Sequence, residues 1–246
     1  YDERTTLFRY RYLSGWVGGI AMMLLAYTVF MPGQDGMLQA GGYSLFGIFG
    51  AGLMFASVVG SALGQHYLVA KLPEKRPGPF SIKGSFDEIR DAFSERAFLI
   101  FVAGGLAAYV SQGMTFSITN YVNLFVWQFD RAELILYPIV LFASVVIMFF
   151  LVGPMHRNWG KPKSAVIGSL VSVAFGLTPY GLFLAGMWPE PGSALSTTLV
   201  FAFLVFANLF GIIVMISGSS MIAEIVEAYE ERTGRRAEGS FYSGNW

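Results

Sequence analysis

Long apolar runs separated by short polar clusters dominate this chain. Six of them carry no Asp, Glu, Lys or Arg: Tyr12–Met31, Gly36–Ala70, Ala97–Phe129, Leu134–Met155, Ser164–Pro189 and Pro191–Ala223. About 20 apolar residues cross a bilayer as an α-helix, and backbone polar groups in hydrocarbon must pair within the segment. Each run is long enough, so the pattern predicts an all-α polytopic membrane protein with six transmembrane helices. Ala97–Phe129 and Pro191–Ala223, at 33 residues each, are longer than a span requires. As helices they would reach about 50 Å, so their ends must project beyond the hydrocarbon or bend. Pro138 and Pro179 lie inside runs and are expected to kink or start helices there.

The polar clusters orient the runs. Six spans put both chain ends on one side, and that side collects Arg4, Arg9, Arg11, Lys71, Lys75, Arg76, Lys83, Arg90, Arg96, Arg157, Lys161, Lys163, Arg232, Arg235 and Arg236. The other side holds only Arg131. Positive charge stays cytoplasmic, so both ends are expected in the cytoplasm of a cell whose inner membrane holds the protein. The outer loops, Pro32–Gly42 and Met187–Leu195, are rich in Gly and Pro, and Trp127 and Trp188 fall at outer edges, where indoles prefer the interface. The long cytoplasmic segment Lys71–Arg96 opens with Pro73, Pro77 and Pro79. Ser85-Phe86-Asp87-Glu88 then has the form of a capping box, with Phe86, Ile89, Phe93 and Ala97 on one face of an amphipathic surface helix.

Composition agrees with lipid as solvent. Charged residues make up 13% of the chain, against about 25% in soluble domains. The net charge of zero gives no reason to invoke nucleic acid. The absence of Cys removes disulfide and thiolate-metal chemistry. The start, Tyr1-Asp2-Glu3-Arg4, has no signal-peptide pattern and no Met, as expected for a piece of something longer.

Enzymatic chemistry finds little to work with. His66 and His156 lack a nearby acid in sequence, and no His/Asp/Glu cluster has metal-ligand spacing. Gly218-Ser219-Ser220 has no readable base beside it. These small residues, like Gly60-Ser61-Ala62-Leu63-Gly64, suit close helix packing. No enzyme, no resident cofactor and no metal site is expected.

Polar residues inside the spans say more. Gln112, Thr115, Thr119 and Asn123 recur at three- and four-residue steps, hence on one helical face. Tyr109 lies on the same stripe, and Asn120 and Tyr121 flank it. Two readings stay open: hydrogen bonding between packed helices, or a helix facing a watery cavity. Asn208 is a single further instance. No charged residue occupies the middle of a span, although a cation-coupled pump normally needs ionisable groups at membrane depth.

Two stretches carry a family resemblance. Asp2-Glu3-Arg4-Thr5-Thr6-Leu7-Phe8-Arg9-Tyr10-Arg11 resembles the cytoplasmic loop after the fourth helix of the glycoside–pentoside–hexuronide:cation symporters, the melibiose-permease-like branch of the major facilitator superfamily. Ser220-Met221-Ile222-Ala223-Glu224-Ile225-Val226-Glu227, continuing through Thr233-Gly234-Arg235-Arg236-Ala237-Glu238-Gly239, resembles that family's loop between helices ten and eleven, with Glu224 and Glu227 where aspartates are usual. Gly153-Pro154-Met155-His156-Arg157-Asn158-Trp159-Gly160-Lys161-Pro162-Lys163 resembles the superfamily loop between helices eight and nine, with Arg157 where an Asp is usual.

The resemblance implies that the six spans are helices five to ten of a twelve-helix major-facilitator fold. Residues 1–70 would close the N-terminal half, 71–96 would be the central cytoplasmic linker, and 97–246 would open the C-terminal half. It further implies cation-coupled symport of a sugar or glycoside by alternating access, with a Na⁺ or H⁺ site on helices outside this chain. Arg11, Tyr109, Gln112, Thr119, Asn120, Asn123 and Asn208 are then the expected substrate-facing residues. A lipid or lysolipid carrier on the same fold, and a non-transporting membrane scaffold, are the competing readings. The expected partners are a small-molecule substrate and the lipid bilayer; oligomeric state is not legible.

The acidic run after Ala223 stands at a helix C-terminus, where the partial negative charge disfavours acids. Arg4, Arg157, Lys161, Arg232, Arg235 and Arg236 are available to answer Glu224, Glu227, Glu230 and Glu231. Two readings stay open here too: a solvated charged loop, or a cytoplasmic latch between the two halves.

Overall fold

A computed structural model describes residues 2–69, 90, 93–94 and 96–233. Seven α-helices carry the described chain: α1 Asp2–Leu25, α2 Gly33–Leu38, α3 Ala40–Val69, α4 Arg96–Tyr121, α5 Arg131–Trp159, α6 Lys161–Leu184 and α7 Ala194–Thr233. Single π-helical turns, Ala26–Phe30 and Val122–Val126, extend α1 and α4. All of these except α2 are long and apolar enough to cross a membrane. The six predicted spans are therefore all present as helices.

The helices overrun the apolar runs. α1 begins ten residues before Tyr12, and α7 continues through the acidic cluster to Thr233. Its 40 residues correspond to about 60 Å, twice the roughly 30 Å of hydrocarbon. The charged end stays helical because it is amphipathic. Ile222, Val226 and Tyr229 recur at helical spacing and are buried with the fully buried Phe98 of α4, while Glu227 and Glu231 are exposed. Arg232 in the last turn lies 6.0 Å from the Tyr229 ring centroid and supplies a cation where the helix end favours one.

Pro138 and Pro179 do not start helices; they lie inside α5 and α6, as does Pro154. A proline costs one backbone hydrogen bond, which neighbouring helices and hydroxyl side chains can offset in membrane proteins. The start of α5 is set by a capping box instead. Asp130 Oδ1 accepts from the Glu133 backbone N–H at 2.8 Å, and Glu133 Oε2 accepts from the Asp130 N–H at 2.9 Å.

The core lies where α1, α5 and α7 meet, joined by the far end of α4. The residues Val145, Met148, Val152, Ile212, Ile213 and Ile216 are almost wholly buried there. α6 lies along α7, and glycine makes the approach close: a Cβ on Gly168 would come within 3.0 Å of Val214 and 3.2 Å of the Phe210 carbonyl. By contrast, α3 touches the rest only through its first turns, where Phe46 meets Phe30 at 5.6 Å; from Ala51 to Tyr67 every described side chain is exposed, and Gly60 and Gly64 have nothing within 4 Å. Close packing at Gly60–Gly64 is therefore not seen among the described residues. The expected surface helix also lies outside the described residues, apart from a helical stub in which Phe93 meets Phe98 edge-on at 5.6 Å.

Candidate functional site

Polar side chains join the helices in three tiers, and α7 takes part in each. We call the end carrying Arg9, Arg157 and Lys161 the basic end.

At the basic end, α5 passes into α6 through one residue. Gly160 has φ +78° and ends one helix while preceding the next. Glycine suits this left-handed conformation because it has no Cβ to clash. The turn drives Lys161 inward, where it is 1% exposed and its Nζ donates to Glu224 Oε1 of α7 at 2.6 Å. A cation at a helix N-terminus opposes the dipole, so the carboxylate offsets both that repulsion and the loss of water. Beside it, Ser217 gives its proton to the Ile213 carbonyl at 2.7 Å, so the 2.8 Å contact with buried His156 is a bond donated by Nε2–H. Tyr12 of α1 meets Ser219 at 2.8 Å.

Of the residues expected to form a latch, Lys161 and Glu224 pair directly, and their ion pair pins α6 to α7. Arg157 is exposed and Glu230 is half-buried. Arg4 stands in the first turn of α1, and Arg235 and Arg236 lie outside the described residues.

In the middle tier, Gln112 Nε2 of α4 reaches Met215 Sδ of α7 at 4.0 Å, a weak contact for an amide. Asn208 Nδ2 donates to Ser144 Oγ at 2.6 Å, and that hydroxyl donates to the Leu141 carbonyl at 2.6 Å. Asn208 is thus committed to holding α7 against α5.

At the far end, Tyr27 of α1 donates to Asn120 Oδ1 of α4 at 2.8 Å. Asn123, in the π turn, is 4% exposed and its Nδ2 has no partner among the described residues. The Thr197 hydroxyl of α7 donates to Glu133 Oε1 of α5.

The predicted stripe divides. Gln112, Thr119 and Asn123 lie on the less exposed face of α4, because steps of seven and eleven residues each return within about 20° of the same direction. Tyr109 and Thr115 fall about 60° to either side; Tyr109 is 42% exposed. Thr115 and Thr119 turn their hydroxyls back onto the carbonyls of Ser111 and Thr115. Arg11 is exposed on α1. The furrow containing Leu106, Val110, Met114 and Thr115 is lined by α4 alone, a helix surface and not an enclosed cavity. Sequence reasoning missed Tyr12, Tyr27, Ser144 and Ser217. The only available signal was a polar side chain inside an apolar run, which does not identify its partner.

Six membrane-length helices crosslinked by polar bonds, with one buried amide donor, Asn123 Nδ2, left without a partner among the described residues, define a polytopic helical membrane protein. The chain belongs to the MFS/sugar transport protein family, whose pattern it matches over residues 1–246. It is a transporter and not an enzyme. No curated protein and no solved structure matches the chain.

Proposed function

We propose that the chain takes part in cation-coupled symport of a sugar or glycoside, with helices α1, α4 and α7 bordering the path. The observation that carries this reading is Asn123. It is an almost wholly buried amide with an unused donor, on the same face of α4 as the weakly engaged Gln112. A buried polar group without a partner costs about 1–3 kcal/mol, and inside a membrane such groups mark substrate pathways. Sugar hydroxyls both donate and accept, which is what such amides require. Gln112, Thr119 and Asn123 are therefore the substrate-facing core of the proposal, with Arg11 and Tyr109 at its margin. Asn120 and Asn208 support it by holding helices in place.

On this reading the coupling Na⁺ or H⁺ site lies on helices beyond these six, and the distribution of Lys and Arg supports both chain ends in the cytoplasm. The test is uptake of labelled sugars and glycosides by vesicles holding the full-length protein, under an imposed Na⁺ or proton gradient. Gln112→Ala with Asn123→Ala should lower uptake at least about tenfold, the loss of two substrate hydrogen bonds at roughly 1 kcal/mol each. Uptake at the wild-type rate in the double variant, or gradient-independent uptake of a lysolipid in place of any sugar, overturns the reading.

A further inference from the structure

At the basic end, α1 and α5 enclose a charge for which the described residues provide no anion. Arg9 lies just inside the first span, which begins at Thr6. Its guanidinium sits 4.3 Å above the Phe149 ring and 5.6 Å from that of Tyr10. Nη1 reaches the Phe149 carbonyl at 3.4 Å, a long contact, and Nε is buried without any acceptor. Nη1 also passes within 3.8 Å of where a side chain on Gly153 would begin. Arg157 stands one helical turn beyond Gly153 on the same face of α5, exposed and with no partner among the described residues.

A guanidinium has five N–H donors in a planar fork, and at membrane depth an unanswered positive charge is costly. The structure answers it with one long bond and two ring faces. What remains unmet is a tetrahedral or planar oxyanion that can take two parallel bonds. Gly153 lies six residues from the end of α5, about 9 Å inside the helix end, near the level of lipid headgroups. The flanking surface is apolar: Tyr10 is 53% and Phe150 69% exposed. The shared chemistry is a phosphate group beside acyl chains.

We propose that the α1–α5 seam at the basic end is a binding site for the phosphate of an anionic phospholipid. Arg9 takes the phosphate oxygens on the Nη1/Nη2 edge of its guanidinium while its face stays on Phe149. Arg157 adds a second positive charge from the water side, and Tyr10 and Phe150 carry the first acyl carbons. The site is separate from the polar path on α4 and does not depend on what is transported. Basic pockets between transmembrane helices are suited to such headgroups.

The full-length protein, purified in a neutral detergent, would be titrated with phosphatidylglycerol or phosphatidylcholine and the bound lipid counted by native mass spectrometry. Phosphatidylglycerol should be retained preferentially. Arg9→Gln should reduce that retention about fivefold or more, and Arg157→Gln several-fold, since one basic residue near a charged headgroup contributes roughly that factor. Lys163→Gln, on the exposed start of α6, should leave it unchanged. If Arg9→Gln does not yield folded protein, Arg157→Gln carries the same test. Undiminished retention in both arginine variants overturns the site and returns the counter-charge to a carboxylate of the chain. Equal loss in Lys163→Gln reduces the effect to diffuse attraction and also overturns it. A final arm adds inorganic phosphate without lipid. Arg9-dependent binding of phosphate there assigns the site to a free phosphate and not to a lipid.

Discussion

Single side chains decide what the seam between α1 and its neighbours is worth. The Tyr27 hydroxyl and the Asn120 carbonyl oxygen, 2.8 Å apart, join α1 to α4 through a tyrosine that is almost wholly buried. Even so, the unfolded chain in a membrane finds partners, and such bonds average about 0.6 kcal/mol with a maximum near 1.7. A double-mutant cycle with Tyr27→Phe and Asn120→Ala, read by thermal unfolding in detergent, should give a coupling energy in that range. Zero coupling would show that the two groups do not meet. At this scale the sequence was half legible. Spacing set Gln112, Thr115, Thr119 and Asn123 on one stripe; Thr115 falls to the side, and the other three do share a face, because a regular helix repeats its direction whatever surrounds it. It said nothing of Tyr27 or Tyr12, whose partners lie 93 and 207 residues away. Nor did it show that the Asn208 amide donates to Ser144, since that depends on the register of α5 against α7.

Whole helices were legible where lipid dictates them and illegible where water does. The six spans follow from hydrocarbon thickness and the need to pair every backbone group. The extra turns of α1 and α7 do not, because at the interface a charged segment is free to stay helical or to unravel. In α7 the choice goes to helix because Ile222, Val226 and Tyr229 find Phe98. Glu224, on another face of that turn, finds Lys161.

That ion pair is a strong test of how α6 is held. Removing one partner of a buried pair typically costs about 3–5 kcal/mol; Glu224 is 30% exposed, which places the expected loss for Lys161→Met or Glu224→Gln nearer 2–3 kcal/mol. Exchanging the two charges should do better than restore the loss. Lys161→Glu puts an acid at the N-terminus of α6, where it agrees with the helix dipole, while position 224, nine residues before the end of α7, is indifferent to that helix's dipole. The single variants should therefore melt several degrees lower, and the exchanged pair at or above the parent temperature. An exchanged pair as unstable as the single variants would mean that geometry, and not charge, fixes the junction. The capping box at Asp130 gives a smaller effect of the same kind. Asp130→Ala should cost about 1 kcal/mol, somewhat more if Glu133 also loosens its hold on Thr197.

In the whole molecule, α1 is tied to α7 and to α4 at two places far apart along its length. Tyr12 reaches Ser219 of α7 toward the basic end, and Tyr27 reaches Asn120 of α4 toward the far end. Fifteen residues of helix separate the two tyrosines, about 22 Å. Under alternating access, with residues 1–70 in one half and 97–246 in the other, these ties cannot both persist through a cycle. Opening toward one side must part α1 from α4 while Tyr12 holds, and opening toward the other must do the reverse. The bond between Asn208 and Ser144 joins helices of a single half and should persist throughout.

The chain has no cysteine of its own, so cysteine pairs can be introduced at 27 and 120, at 12 and 219, and at 144 and 208. Each would be bridged by a short bifunctional thiol reagent in the full-length protein. Bridging either of the first two pairs should stop uptake, and cleaving the bridge should restore it to the rate of the unbridged variant. Bridging the third should leave uptake near its unbridged rate. If the 27–120 and 12–219 bridges both permit normal turnover, α1 does not move against α4 and α7, and the division of the chain into two rocking halves fails with it. If the 144–208 bridge alone stops uptake, the motion lies within 97–246, and the path would have to open between α5 and α7.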